Sequence, residues 1–177
     1  MKFSVRHLRN NEEEYKKDIL IIRKAIDKKR SKKKIPLTTS EIREAVIEIL
    51  NTIRKENPKA IVGYVAGSIT SSGPENVKAN IKKLEGYAKH LRKKYGPYIF
   101  STQEIFTEED QHKITKQGEQ TQVQVRKFWR DILSSGCITD IFMIPGWEKS
   151  IGAKDEHDFA REKTTVTIHY FNKNQLL

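Results

Sequence analysis

Two segments carry side chains whose types and spacing suit chemistry on a small anionic ligand. The first is Gly67-Ser68-Ile69-Thr70-Ser71-Ser72-Gly73-Pro74. Small residues let backbone N–H groups approach an anion, and the hydroxyls add donors. The run is neither a Walker loop nor GxGxxG, so an ordinary strand-to-helix turn explains it equally well. The second segment runs from Pro145 to His157, with a core of Ser150-x-Gly152-x-x-x-Glu156-x-x-x-Ala160. Ser150 and Gly152 can turn the backbone toward a ligand. Glu156, in the first turns of the following helix, can present a carboxylate to the same cleft. Trp147 either stacks on a base or plugs the loop against the sheet. Asp140, upstream, reads as an anchor for a loop or helix N-terminus, and His157 as incidental. His90, His112 and His169 have no metal-ligand spacing, and Cys137 is the only cysteine. No disulfide framework, metal or other cofactor is expected.

The surrounding pattern shows how such residues are positioned. Tyr15, Ile19, Ile22 and Ile26 recur at spacings of three and four, which predicts a helix over 11–33. After Pro36, Thr38 and Glu41 have capping-box spacing, and Ile42, Val46, Ile49, Leu50 and Ile53 form one apolar face. This helix should stop before Asn57-Pro58. From residue 59 the pattern changes. Residues 60–66 form a nearly continuous apolar run, which is how a strand buried on both faces reads. Further strands are predicted at 98–101, 138–144 and 164–170. Helices are predicted at 76–95, at 122–134 and from about 153, with a polar loop or short helical piece over 107–120. Alternating strands and helices argue for a doubly wound α/β fold. The expected architecture is a mostly parallel sheet of four to five strands, Rossmann-like or flavodoxin-like. Residues 59–177 form that domain, and 1–58 a basic helical N-terminal extension.

Composition bounds the function. The chain of 177 residues has 34 basic and 23 acidic side chains and a net charge of +11. The excess centres on Lys28-Lys29-Arg30-Ser31-Lys32-Lys33-Lys34, which suits either a solvated helix end and linker or contact with nucleic acid phosphates. No aromatic residue interleaves with that run, which weakens the case for base stacking. No stretch of about 18 apolar residues exists, and residues 1–6 lack a signal peptide's apolar core. A membrane-spanning or secreted protein is therefore not expected, and the expected location is cytoplasmic.

Residues 62–170 resemble the nucleoside 2-deoxyribosyltransferase superfamily, which includes the 2'-deoxynucleoside 5'-phosphate N-hydrolases. The resemblance rests on Tyr64-Val65-Ala66-Gly67-Ser68-Ile69 and on Asp140 through Ser150, with the Asp-to-Ser-to-Glu spacing as its most specific element. Within the superfamily these two segments resemble an uncharacterised, phage-type branch. The resemblance implies that Glu156 is the nucleophile, attacking the anomeric carbon to form a covalent glycosyl-enzyme. It implies that Asp131, in Trp129-Arg130-Asp131, is a second carboxylate that assists departure of the base. Without its partners, Asp131 reads as an exposed helix acid. Tyr64 would hydrogen-bond the nucleophile or substrate. Ser150 matches a position that contacts a 5'-phosphate in the nucleotide hydrolases. Gly67, Ser68 and Ile69 would complete the cradle. The implied activity is an N-glycosidase or deoxyribosyltransferase acting on a deoxynucleotide or nucleoside, as a dimer or larger homo-oligomer. The alternative is a catalytically silent nucleotide-binding or nucleic-acid-associated protein on the same fold. Three departures stand out. The stretch between Asp131 and Asp140 is about one residue longer than the family pattern. No fifth strand follows residue 170, and residues 1–6 alternate well enough to supply an edge strand. The helical extension is additional, covering the sheet or forming a dimer interface.

Overall fold

The computed structural model describes residues 24, 26–28, 31, 38–69, 73–106 and 119–171. The expected strand at 1–6, most of the helix over 11–33, most of the basic run, Thr70 to Ser72 and most of the loop over 107–120 lie outside the described residues.

Thr38 and Glu41 form the capping box that their spacing predicts. The Thr38 hydroxyl accepts from the Glu41 N–H at 3.3 Å, and the Glu41 carboxylate accepts from the Thr38 N–H at 2.9 Å. They open α1 (Thr39–Glu56), which ends one residue before Asn57-Pro58. There follow β1 (Gly63–Ala66), α2 (Val77–Tyr95), β2 (Ile99–Ser101), α3 (Glu119–Ser134), β3 (Asp140–Met143), α4 (Ile151–Lys163) and β4 (Thr167–Tyr170). Single 3-10 turns precede α2 and α4 and follow β2. The strands are shorter than the apolar runs predict, because the leading residues of each run lie outside the ladder.

The sheet has four strands in the order β2-β1-β3-β4, and every pairing is parallel. This is the expected α/β fold. Strand side chains alternate between faces, and that alternation sorts the core in two. Val65, Ile99, Phe142 and Ile144 pack against Leu84, Ala88 and Leu91 of α2. Tyr64, Ala66, Phe100, Ile141 and Met143 pack on the other face with residues of α1, α3 and α4. Gly63, two residues before Val65, faces the α2 side with Phe142 and Ile99. A Cβ there would lie 2.4 Å from the Phe142 ring, so the two strands close over a position that only glycine fills.

The described part of the extension, α1 and Ile26, is a layer of this core rather than an appendage. Ile42, Ala45, Val46, Leu50 and Ile53 belong to the same buried cluster as Tyr64 and Trp129, and Ile26 joins them fully buried. The change of pattern at Pro58 therefore marks where strands begin, and packing runs straight across it. Leu50→Ala should destabilise the whole chain by about 2–5 kcal/mol. Chemical denaturation followed by both tryptophan fluorescence and circular dichroism should show one coincident transition. A separate early transition for the helical signal would mean that α1 packs as its own unit.

Candidate active site

The strand order reverses between β1 and β3, and in open parallel sheets ligands bind outside the carboxyl ends of the strands at such a point. Glu156 is brought to this region from α4. The loop after β3 turns at Gly146, whose φ of 89° is left-handed and favours glycine. Ser150 then caps α4, its hydroxyl accepting from the Ala153 N–H at 3.3 Å. Six residues later, Glu156 faces inward beside Ala153 and Ala160, all three buried.

Its carboxyl meets the Tyr64 phenol, whose O–H donates to Oε1 at 3.5 Å. The Tyr64 oxygen also lies 3.2 Å from the Thr102 hydroxyl, just past β2. The Tyr64 ring stacks on Trp129 of α3, with centroids 4.1 Å apart. A phenol, a hydroxyl and a carboxyl from three elements thus meet beneath an aromatic wall. Burial disfavours the charged forms of both acids. Desolvation pushes Glu156 from 4.5 up to about 8, against the Tyr64 hydrogen bond that lowers it, with the neighbouring Asp155 charge raising it further. Burial, and then the Glu156 charge, hold the Tyr64 phenol well above its usual value. At neutral pH the pair is an uncharged acid beside an uncharged phenol.

Thr102 is held in turn. Glu104 accepts from both the Ser101 N–H and its hydroxyl, at 2.7 and 2.8 Å, and pairs with the buried Arg92 of α2. The sequence reading missed Thr102 and this clamp. The only available signal was Ser101-x-x-Glu104, which has capping-box spacing.

Asp131 does not join Glu156. Its carboxylate takes a 2.7 Å ion pair from Arg43 of α1 and a 3.1 Å pair from Lys127. It lines an open cleft of about 340 Å³ between the start of α1 and α3. Partial desolvation opposes ionisation, but the Lys127 and Arg43 hydrogen bonds outweigh it and hold the carboxyl below its ordinary value. Helix phase explains this placement. Each residue turns a helix by about 100°, so with Trp129 on Tyr64, a side chain two positions on faces well away. The expected meeting of α3 with α4 does occur, one residue earlier on each. Arg130 pairs with Asp155, the Nε–Oδ2 bond being 2.9 Å.

The remaining candidates have structural partners. A Cβ on Gly67 would strike Ile144 at 2.4 Å, so this glycine permits close packing of the loop on β3. The Ile69 carbonyl accepts from the Asn80 amide at 2.9 Å, and Ser68 is half-buried beside it. Gly152 occupies the first turn of α4. Trp147 lies over the His157 ring at 4.5 Å, and that ring bonds the Tyr170 hydroxyl and the Asp158 carboxylate, both at 2.8 Å. His157 is therefore an organising residue under Trp147 rather than incidental. Asp140 anchors neither a loop nor a helix N-terminus. It points to the α2 face, bonding His169 of β4 at 2.6 Å and the Thr139 hydroxyl. Among the described residues, no three His, Cys, Asp or Glu side chains gather as a metal site, and no helix is long and apolar enough to cross a membrane.

Fold and site together define an α/β protein with a buried carboxyl–phenol pair at the switch point of a parallel sheet. Set against family models, curated proteins and solved structures, the chain matches none of them.

Two outcomes follow from the site's electrostatics. The folded chain keeps the Glu156 proton to about pH 8, while the unfolded chain releases it near 4.5. The folded state then binds more protons between those values, so this group lowers stability as pH rises across that window. Glu156→Gln should therefore gain stability relative to the wild type from pH 5 to pH 8, read as a widening gap in Tm. A constant gap would show that the carboxyl is ionised in the folded chain. Asp131→Asn should cost about 1 kcal/mol or less, as partly exposed ion pairs do, and leave the Glu156 titration where it was. A titration displaced by Asp131→Asn would show that the two acids communicate.

Proposed function

We propose that the protein is an N-glycosidase or deoxyribosyltransferase acting on a deoxynucleotide, with Glu156 attacking the sugar. One observation supports this reading above the rest: the Tyr64 hydroxyl donates to the Glu156 carboxyl beside the carboxyl ends of the strands. The resemblance of residues 62–170 leads to the same two residues.

In this reading Glu156 first gives up its proton, and the Tyr64 O–H stabilises the resulting carboxylate. The carboxylate attacks the anomeric carbon. The bond to the base breaks, and the base leaves with the electron pair and takes up from solvent a proton equivalent to the one Glu156 released to it. Water, or a second base, then attacks the glycosyl-enzyme and frees Glu156. The Ser150 oxygen accepts from the Ala153 N–H while its O–H remains a donor, which suits a phosphate oxygen at the start of α4. The Trp147 ring, half-buried over His157, offers a flat surface for a base.

A second reading is a nucleotide-binding protein without turnover. The engagement of Asp131 by Arg43 and Lys127 favours it, since the second carboxylate that the resemblance implies is committed elsewhere.

Incubation with a panel of deoxynucleotides, with free base measured by chromatography, separates the two. The wild type should release base, with an acid limb in kcat/KM near pH 8 set by Glu156. Glu156→Ala should abolish release while the chain stays folded. Tyr64→Phe removes a hydrogen bond to a charged group and should lower the rate about 10- to 100-fold. It should also move the acid limb to higher pH. A wild type that binds a deoxynucleotide and releases nothing establishes the binding reading.

A further inference from the structure

Charge is unevenly divided among the helices. α1 has three basic residues against four acids, α4 has three against four, and α3 three against two. α2 has six Lys and one Arg against Glu85 alone. Arg92 is buried on Glu104, so the surface charge of α2 is its six lysines and the single acid Glu85. Lys78, Lys82, Lys89 and Lys93 are all exposed. At about 100° and 1.5 Å per residue they fall within about 60° of one another, along a row about 22 Å long. None of the four is in an ion pair among the described residues. Lys83 and Lys94 flank the row over the rings of Tyr87 and Tyr95.

Gly86 stands midway along the row, about 20° beyond it on one side, and the exposed Glu85 stands midway about 20° beyond it on the other. A glycine inside a helix costs about 0.5–1 kcal/mol, and packing does not explain this one, since no atom lies within 4 Å of where its Cβ would be. It leaves the row flat at its midpoint on the side away from Glu85, where a phosphodiester can approach the helix between two pairs of lysines.

We infer that α2 is a docking surface for the phosphate backbone of double-stranded nucleic acid, held by Lys78, Lys82, Lys89 and Lys93. The surface is separate from the basic run at 28–34 and stands apart from any reaction at Glu156. Complementary charge favours a polyanion. Among the described residues the exposed large apolar ones, Val123, Ile151 and Tyr170, all lie off α2, so the helix lacks the apolar face that membrane-surface binding needs. Lysine is depleted in protein interfaces, and no exposed aromatic ring on the row offers the stacking that single strands use. The duplex backbone, read as a row of phosphates, fits these features.

Fluorescence anisotropy with the full chain and a labelled duplex of about 20 base pairs, from about 50 to 200 mM salt, tests this. Wild-type affinity should fall steeply with salt. The fourfold Lys→Gln variant at 78, 82, 89 and 93 should bind at least about tenfold more weakly, with the salt slope reduced by about 3 to 4. Its Tm should be unchanged. The fourfold Lys→Arg variant should keep both affinity and slope. Neutralising the run at 28–34 should leave the contribution of the row intact. Equal binding by wild type and the Lys→Gln variant overturns the inference. So does tighter binding to a single strand than to the duplex, or binding to phosphatidylserine vesicles with none to the duplex.

Discussion

The structure turns on one constraint, that a carboxyl group is buried in a largely apolar interior with a phenol as its hydrogen-bond partner. An isolated buried carboxylate is prohibitively costly, so such a group stays protonated or finds a donor. Glu156 does both. The Tyr64 hydroxyl reaches it from β1, and desolvation keeps its proton in place to about pH 8. Around the pair the fold is built in depth. Trp129 covers the Tyr64 ring, and Thr102 meets its oxygen. The Arg92–Glu104 clamp fixes the turn that carries Thr102. Each contact comes from a different element, so the polar pair is positioned only when the whole sheet and both helix layers are assembled.

The same arrangement separates groups that sequence spacing appeared to join. Alternation along β3 sends Asp140 toward α2, while Ile141 faces α3 and α4. Rotation along α3 sends Asp131 to Arg43 of α1, while Trp129 faces Tyr64. The acids at 131 and 156 thus serve different neighbours. Asp131 ties the N-terminal helix to α3, and Glu156 sits inside. The ion pair that does join α3 to α4 uses Arg130 and Asp155, and it places a negative charge beside Glu156 that adds to the difficulty of ionising it.

Charge on the outside follows a similar logic. Net charge over long segments blurs a pattern that only the helix surface displays. Counted along the chain, the basic run at 28–34 dominates. Wrapped onto a helix, four lysines of α2 form one row with Glu85 as the one acid beside it, while the charges of α1 and α4 are mixed in sign. One-sign surfaces are sites of long-range electrostatic attraction, whereas mixed ones largely cancel beyond a Debye length.

Much of this protein follows from its sequence alone, because the signals involved are local. The capping box at Thr38, the stop before Pro58, the apolar runs of β1 and β3 and the helix face of α2 each depend on residues within a turn or two. The alternation of strands and helices then leads to the parallel sheet. The loop at Gly146 and the cap at Ser150 place Glu156 in the first turns of α4 for equally local reasons. What remained for the tertiary structure was everything set by angle between elements. The burial that neutralises Glu156, the Thr102 contact and the turning of Asp131 toward Arg43 arise when distant segments pack. A one-residue difference in helix phase, about 100°, decides which side chain points inward, and spacing along the chain does not carry that angle.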